Sequence, residues 1–196
     1  MSSTHLERDF VEAPSQMLEE WIWDPATLAT FATHHQTGEP IPARLVMQMR
    51  RASEFGQGLD VRGQMVFARV SLSLHDRDPK RVDATALYKE THNRYLPYPH
   101  VDGTYRELVF THLANPGYAS AYYTYMWSLV ISKDLLTGFD IKNLSAPGAA
   151  RRYRDTVFGP GSSKPAATLV REFLGRPFNA TAWEEWLNRE TPAGTN

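Results

Sequence analysis

The chain has no cysteine. That absence removes thiol nucleophiles, disulfides and cysteine-based metal sites. It also has no H-E-x-x-H, no G-x-x-x-x-G-K and no Gly-x-Ser-x-Gly. The chain therefore carries no two-histidine zinc helix, no phosphate-cradling loop and no nucleophile elbow of its own. No apolar run approaches the roughly 20 residues that a membrane-spanning helix needs, so no membrane partner is expected. The opening MSSTHLERDF lacks the apolar core of a secretory signal, and the expected location is cytoplasmic. Neither charge is in excess: Lys and Arg total 21, Asp and Glu 22. Nucleic acid is accordingly not an expected partner. No internal repeat or low-complexity block occurs, and β-branched residues nowhere alternate for long.

What is present is 196 residues, 42% of them hydrophobic. That suffices for one domain, or for part of a larger one. The pattern is mostly helical. Pro14 suits a first helical turn, and Met17, Leu18, Trp21 and Ile22 form an apolar face, predicting a helix over 14–23. Asp24-Pro25 reads as a cap and first position of a second helix, running to about His34. Thr37 to Pro42 is a loop. From Ala43 to His75 the apolar residues keep helical period, with Gly56, Gly58 and Gly63 marking a break or a close helix crossing. Asp83 to Tyr95 forms a further helix with Asp83 as cap. Tyr95-Leu96-Pro97-Tyr98-Pro99 forces an extended connection. Asp140 to Gly148 is a connector and Ala149 to Val157 a basic helix. Phe158 to Ser163 is a loop. Pro165 to Leu174 is an amphipathic helix stopped by Gly175. Thr181 is expected to cap a last helix over 182–189 with Glu184 in a capping box, before a frayed tail at 190–196.

The most informative stretch is Phe110 to Val130, FTHLANPGYASAYYTYMWSLV. Asn115, Pro116 and Gly117 supply turn chemistry, and an aromatic-rich run follows. On a helix, Tyr118, Tyr122 and Tyr125 stand at i, i+4 and i+7. That places three phenols on one face, with Tyr123 pointing elsewhere and His112 just ahead. Phenols are neutral donors near pH 7, with a reference pKa of about 10. A row of them can hydrogen-bond a peptide carbonyl or the oxyanion that develops on it. On spacing alone, packing into a core is the commoner role of such a stripe. Of the seven histidines, His34 and His35 are adjacent and read as a solvated helix end, as do His75 and His92. His5, His100 and His112 complete the set. Asp9 and Glu12, taken alone, are acids at a helix entry.

Two of these stretches together, RDFVEAPSQMLEEWIWDP (8–25) and HLANPGYASAYYTYMW (112–127), resemble the C-terminal part of the thimet oligopeptidase and neurolysin family of zinc metallopeptidases. Oligopeptidase A and dipeptidyl carboxypeptidase are relatives in that family. The resemblance covers nearly the whole chain. HHQTGEPIP, the long helix around Phe55 to Leu74 and PGSSKPAATLVREFLGRPFNATAWEEWL follow in the same order. It implies an all-α fold of about eight helices, a single partial catalytic domain over 1–196, and one zinc ion in the complete site. In the family that ion is held by two histidines of H-E-x-x-H and by the glutamate of F-V-E-x-P-S-Q, which matches Glu12. The resemblance further implies that Tyr118 and Tyr125 donate to the scissile carbonyl. His112 and Tyr122 would contact substrate, and Gly117 would let the loop close over a short peptide.

The departures shape the expectation as much as the matches do. The chain starts just before the Glu12 motif, so two zinc ligands and the general base are absent from it. Asn115-Pro116-Gly117 stands where the family shows a glycine pair, and Pro116 stiffens that loop. Pro160-Gly161-Ser162-Ser163 stands where P-G-G-S is usual. The first expectation is therefore the C-terminal portion of a zinc metalloendopeptidase, from a truncated, split or mis-started gene and inactive alone; a separately encoded N-terminal half that restores activity only on mixing is a further alternative. Apolar surface left exposed would favour self-association. The alternatives are a non-catalytic helical peptide-binding module and a degenerate remnant.

Overall fold

The computed structural model describes residues 6–189. His5 and the tail expected to fray at 190–196 lie outside the described residues. Among the described residues there are nine α-helices and no strand, apart from an isolated bridge between Thr33 and Pro40. The fold is all-α, as expected. No helix among them is long and apolar enough to cross a membrane. The chain forms two compact units. One comprises residues up to Phe55 and from Ser128 onward, the other Gly56–Trp127.

In the first unit, α1 spans Ala13–Leu18 and continues as a 3₁₀ turn over Glu19–Trp23. The expected helix over 14–23 is thus split in type. α2 starts as expected, with the Asp24 carboxylate accepting from the Thr27 amide at 3.0 Å, but ends at Leu28 rather than near His34. The reason is a competing turn. The Ile41 amide donates to the Ala32 carbonyl and the His34 amide to the Glu39 carbonyl, both at 2.8 Å, with Gly38 at φ +73°. These cross-loop bonds take the backbone groups that further helical turns would have used. α3 spans Ala43–Glu54.

α6 (Thr124–Leu136) belongs to this unit from Ser128 on. α7 spans Pro147–Tyr153 and runs into a π-helical turn over Arg154–Phe158. α8 spans Ala166–Leu174 and stops at Gly175, φ +73°, where the left-handed conformation suits glycine alone. The Glu7 carboxylate accepts from the Ala166 amide at 2.8 Å and so caps the start of α8. α9 spans Thr181–Leu187. Thr181 is not its cap. Its own amide instead donates to the Asn179 carboxamide at 2.9 Å, because asparagine two residues earlier offers a better-placed acceptor.

Met17, Leu135 and Leu169 are fully buried here, among Phe10, Phe139 and Phe173. Each such side chain contributes about 1.5–3 kcal/mol of transfer free energy. Buried charges are matched. Asp134, 1% exposed, accepts from both terminal nitrogens of Arg176 at 2.6 and 2.7 Å and from the Asn179 amide at 3.0 Å. Lys133 pairs with the buried Glu20, and its ammonium lies 4.6 Å from the centre of the Trp186 ring.

In the second unit, α4 (Gln57–His75) packs on α5 (Ala84–Tyr95) through Val66, Val70 and Tyr88. Gly56 is the break between α3 and α4, at φ +79°, whereas Gly58 and Gly63 sit inside α4. Asp83 caps α5 as expected, accepting from the Ala86 amide at 3.0 Å.

Two outcomes are expected in urea unfolding. Leu135→Ala destabilises by about 2–5 kcal/mol, whereas Leu45→Ala on the exposed side of α3 shifts stability by less than about 0.5 kcal/mol. Tyr153 is buried, and its hydroxyl has no hydrogen-bond partner among the described residues. Burial pushes its phenol above the ordinary value of 10. A raised phenol pKa stabilises the fold below pH 10, and that contribution is lost as pH rises further. Tyr153→Phe is therefore stability-neutral or better by about 1 kcal/mol at pH 7, and it flattens the loss above pH 10.

Candidate functional site

The helix α6 begins only at Thr124, so Tyr118 and Tyr122 precede it. The predicted helical row is thus not what gathers the tyrosines. Turns do so instead. The Tyr118 and Ala119 amides both donate to the Asn115 carbonyl at 2.9 Å, and the Ala121 amide donates to the Tyr118 carbonyl at 2.9 Å. Proline at 116 and an asparagine before it favour a tight turn over a continuous helix. α4 then pins the turn from below. The Ser71 hydroxyl donates to the Ala119 carbonyl at 2.8 Å and accepts from the Tyr122 amide at 3.4 Å.

The result brings His112, Tyr118, Tyr122 and Tyr125 together within the second unit. The His112 ring stands edge-on to all three phenols, at centroid distances of 5.9, 4.9 and 5.6 Å. Tyr118 and Tyr125 stack at 5.6 Å with their planes 9° apart. His112 Nε2 and the Tyr125 hydroxyl are hydrogen-bonded at 3.1 Å. Tyr123 is exposed and points away, as expected. Burial raises the Tyr122 phenol pKa, while a hydrogen bond from Gln64 and the Arg106 charge act in the opposite sense. Tyr122 is therefore a neutral donor at pH 7. Phenols gathered around one imidazole offer several O–H donors to a single acceptor oxygen, with the ring nitrogen able to accept or donate beside them.

Gly117 is not in the left-handed region, and its amide is tied to the Asn115 carboxamide at 2.9 Å. Glu12 belongs to the first unit. It stands half-buried at the entry to α1, and its carbonyl accepts from the Ser15 hydroxyl at 3.0 Å. Among the described residues no three His, Asp or Glu side chains come together to hold a metal. The donor set of this chain therefore does not by itself fit the zinc that the resemblance implies.

Several contributors escape a sequence reading. Ser71, Gln64 and Phe67 come from α4, some fifty residues before the tyrosines. The one local signal for Ser71 is the Ser71-Leu72-Ser73-Leu74 run, in which both serines are buried and so must face inward. His92, read as solvated, is half-buried beside His100, because the Tyr98-Pro99 segment folds its rings back over α5.

The chain is thus all-α, with three phenols gathered around one imidazole. Comparison with known sequences places it in a family. The family model described as Peptidase family M3 matches residues 1–189, and the chain belongs to that family. It is 29% identical over 170 residues to oligopeptidase A of Haemophilus influenzae, covering 86% of this chain and 25% of that protein. It is 31% identical over 182 residues to dipeptidyl carboxypeptidase of Salmonella typhimurium, covering 89% and 26%. To human mitochondrial intermediate peptidase it is 27% identical over 174 residues, covering 89% and 24%. The chain thus spans about a quarter of the length of these curated relatives.

Tyr125→Phe removes the hydrogen bond to His112 while keeping the ring. The expected loss is about 0.5–1.5 kcal/mol of stability. The nitrogen resonances of the His112 ring should shift in NMR spectra, whereas Tyr123→Phe leaves them in place.

Proposed function

We propose that this chain supplies the carbonyl-gripping part of a zinc metalloendopeptidase acting on short peptides. The observation that carries this reading is the His112–Tyr125 hydrogen bond inside a three-tyrosine cluster. In the complete enzyme, Tyr118 and Tyr125 donate to the scissile carbonyl oxygen. That oxygen gains negative charge as water adds, so these hydrogen bonds strengthen in the transition state and lower the barrier. His112 holds the Tyr125 hydroxyl in place and contacts the peptide backbone together with Tyr122. Gly117 lies in the turn that meets the peptide. Glu12 serves as one ligand of the zinc, with the remaining ligands and the general base supplied by another polypeptide segment. The same proposal places the protein in the cytoplasm.

Exposed apolar side chains on α3, namely Leu45, Met47 and Met49, support a covering partner, since only Val46 of that helix is buried. A polypeptide segment with H-E-x-x-H, the N-terminal half in the family's order, is the proposed partner. Alone, the chain hydrolyses no quenched fluorescent peptide and retains no stoichiometric zinc. Mixed with that half, it gains chelator-sensitive activity. In the mixture, Tyr118→Phe or Tyr125→Phe lowers kcat about 10²–10³-fold with little change in KM. Chelator-sensitive hydrolysis by the chain alone would sink this reading. The incomplete donor set favours a second one, a non-catalytic peptide-binding module. Its mark is an inactive mixture in which labelled peptides still bind and the same two substitutions weaken binding.

A further inference from the structure

A cleft of about 570 Å³ opens in the second unit between α4, α5 and the stretch Leu96–Arg106. It is not the tyrosine site: none of His112, Tyr118, Tyr122 and Tyr125 lines it. Phe67 is the wall between the two, touching Phe110 and Tyr122 on one side and Tyr88 on the other. The cleft surface is largely rings and aliphatic carbon, from Phe67, Tyr88 and Leu96.

Its polar groups are unusual. His92 and His100 meet edge-on, with ring centroids 5.4 Å apart. Nδ1 of His100 is shielded from solvent and has no hydrogen-bond partner among the described residues, and both nitrogens of His92 are shielded, with the Tyr98 backbone as a polar neighbour. His100 Nε2 lies 3.2 Å from the Thr104 hydroxyl, and the His100 amide donates to the Asn93 carboxamide at 2.8 Å, so that ring is held in position. Burial, and then the charge of His100, hold His92 below the ordinary imidazole value, against the opposing pull of the Tyr98 backbone. The exposed Arg106 lies at the rim with its guanidinium 5.7 Å from the Phe67 ring centre, and it pairs with no carboxylate among the described residues. The neighbouring acid, Glu107, accepts instead from the Thr85 hydroxyl at 2.5 Å and does not line the cleft.

Orphaned donors and acceptors cost free energy until something satisfies them. A ring-lined hollow favours a ring, and a planar guanidinium fork favours a carboxylate. We propose that this cleft binds an aromatic group carrying a carboxylate a few bonds away. The ring enters between Phe67 and Tyr88. The carboxylate meets Arg106, and the His92 and His100 rings turn toward it so that their shielded N–H groups complete its hydrogen bonds. A peptide ending in a free aromatic residue has this chemistry, and so does a small aromatic acid. The proposal shares with the peptidase reading only this class of molecule. It requires neither zinc nor turnover, so it stands or falls separately.

The test is an NMR titration of the whole chain carrying isotope-labelled histidine. The probes are N-acetyl-phenylalanine, N-acetyl-phenylalaninamide and 3-phenylpropionate. N-acetyl-phenylalanine is expected to shift the His92 and His100 ring signals saturably and to leave His112 in place. The amide binds at least about tenfold more weakly, the worth of one good charged hydrogen bond. Arg106→Gln causes the same loss. Gly63→Leu abolishes binding by filling the wall, where an added Cβ meets no atom within 4 Å. It also raises helix propensity within α4, so the fold is kept. Phenylpropionate binding as tightly as the acetylated amino acid identifies a free aromatic acid as sufficient; weaker binding identifies the peptide end. The proposal is overturned by an absence of saturable shifts, by equal affinity for acid and amide, by an unchanged affinity in Arg106→Gln, or by shifts confined to His112.

Discussion

The candidate site depends on one buried hydroxyl. Ser71 is fully buried on α4, and it bonds at once to the Ala119 carbonyl and the Tyr122 amide. Those two backbone groups lie in a turn that has left helical geometry and so lacks the usual i to i−4 partners. Without Ser71 they would be under-satisfied in a partly dry setting, at a cost of about 1–3 kcal/mol for an orphaned group. With it, the turn holds the shape that brings Tyr118 and Tyr122 to the His112 ring. A helix starting at Tyr118 would satisfy its own amides and would carry the tyrosines as a row. The turn carries them as a ring around an imidazole, which is the better arrangement for several donors to reach one oxygen.

Phe67 plays the corresponding role for the apolar surfaces of that unit. One face of its ring neighbourhood belongs to Phe110 and Tyr122, another to Tyr88 and the Arg106 guanidinium. The aromatic density of this unit therefore divides into two surfaces of different chemistry. On one side phenols crowd a single histidine. On the other, two histidines with shielded nitrogens stand over a hollow. The first gathers neutral O–H donors, the second sets a guanidinium beside rings.

The first unit is held by different means. Its apolar core is ordinary, but its buried charges are matched closely. The Asp134 carboxylate takes a bidentate pair from Arg176 and an amide from Asn179. This ties the end of α6 to the segment that follows α8. The carboxylate side is fully hydrogen-bonded and the Arg176 side chain keeps contact with solvent, which together lessen the desolvation cost of burying Asp134. Glu12, the one residue of this unit that the family resemblance gives a metal role, stands at the entry to α1, whose next two residues are buried in that core.

The amino-acid sequence by itself determined the helical class, most helix starts, and the family. Capping and stop signals are local: Asp24, Asp83 and Gly175 do what their chemistry dictates over three or four residues. The motifs around Glu12 and from His112 to Trp127 are likewise contiguous and can be read directly. Tertiary structure alone decided how the tyrosines meet, since a serine about fifty residues away along the chain sets their turn. It alone ended α2 early, because bonds between residues 32–34 and 39–41 compete with the helix. It also decided that His92 is enclosed and not solvated, since the rings covering it come from a segment whose proline-rich sequence specifies extension but not direction. Local propensity acts over one turn of chain, whereas these outcomes are set by partners that only folding brings near.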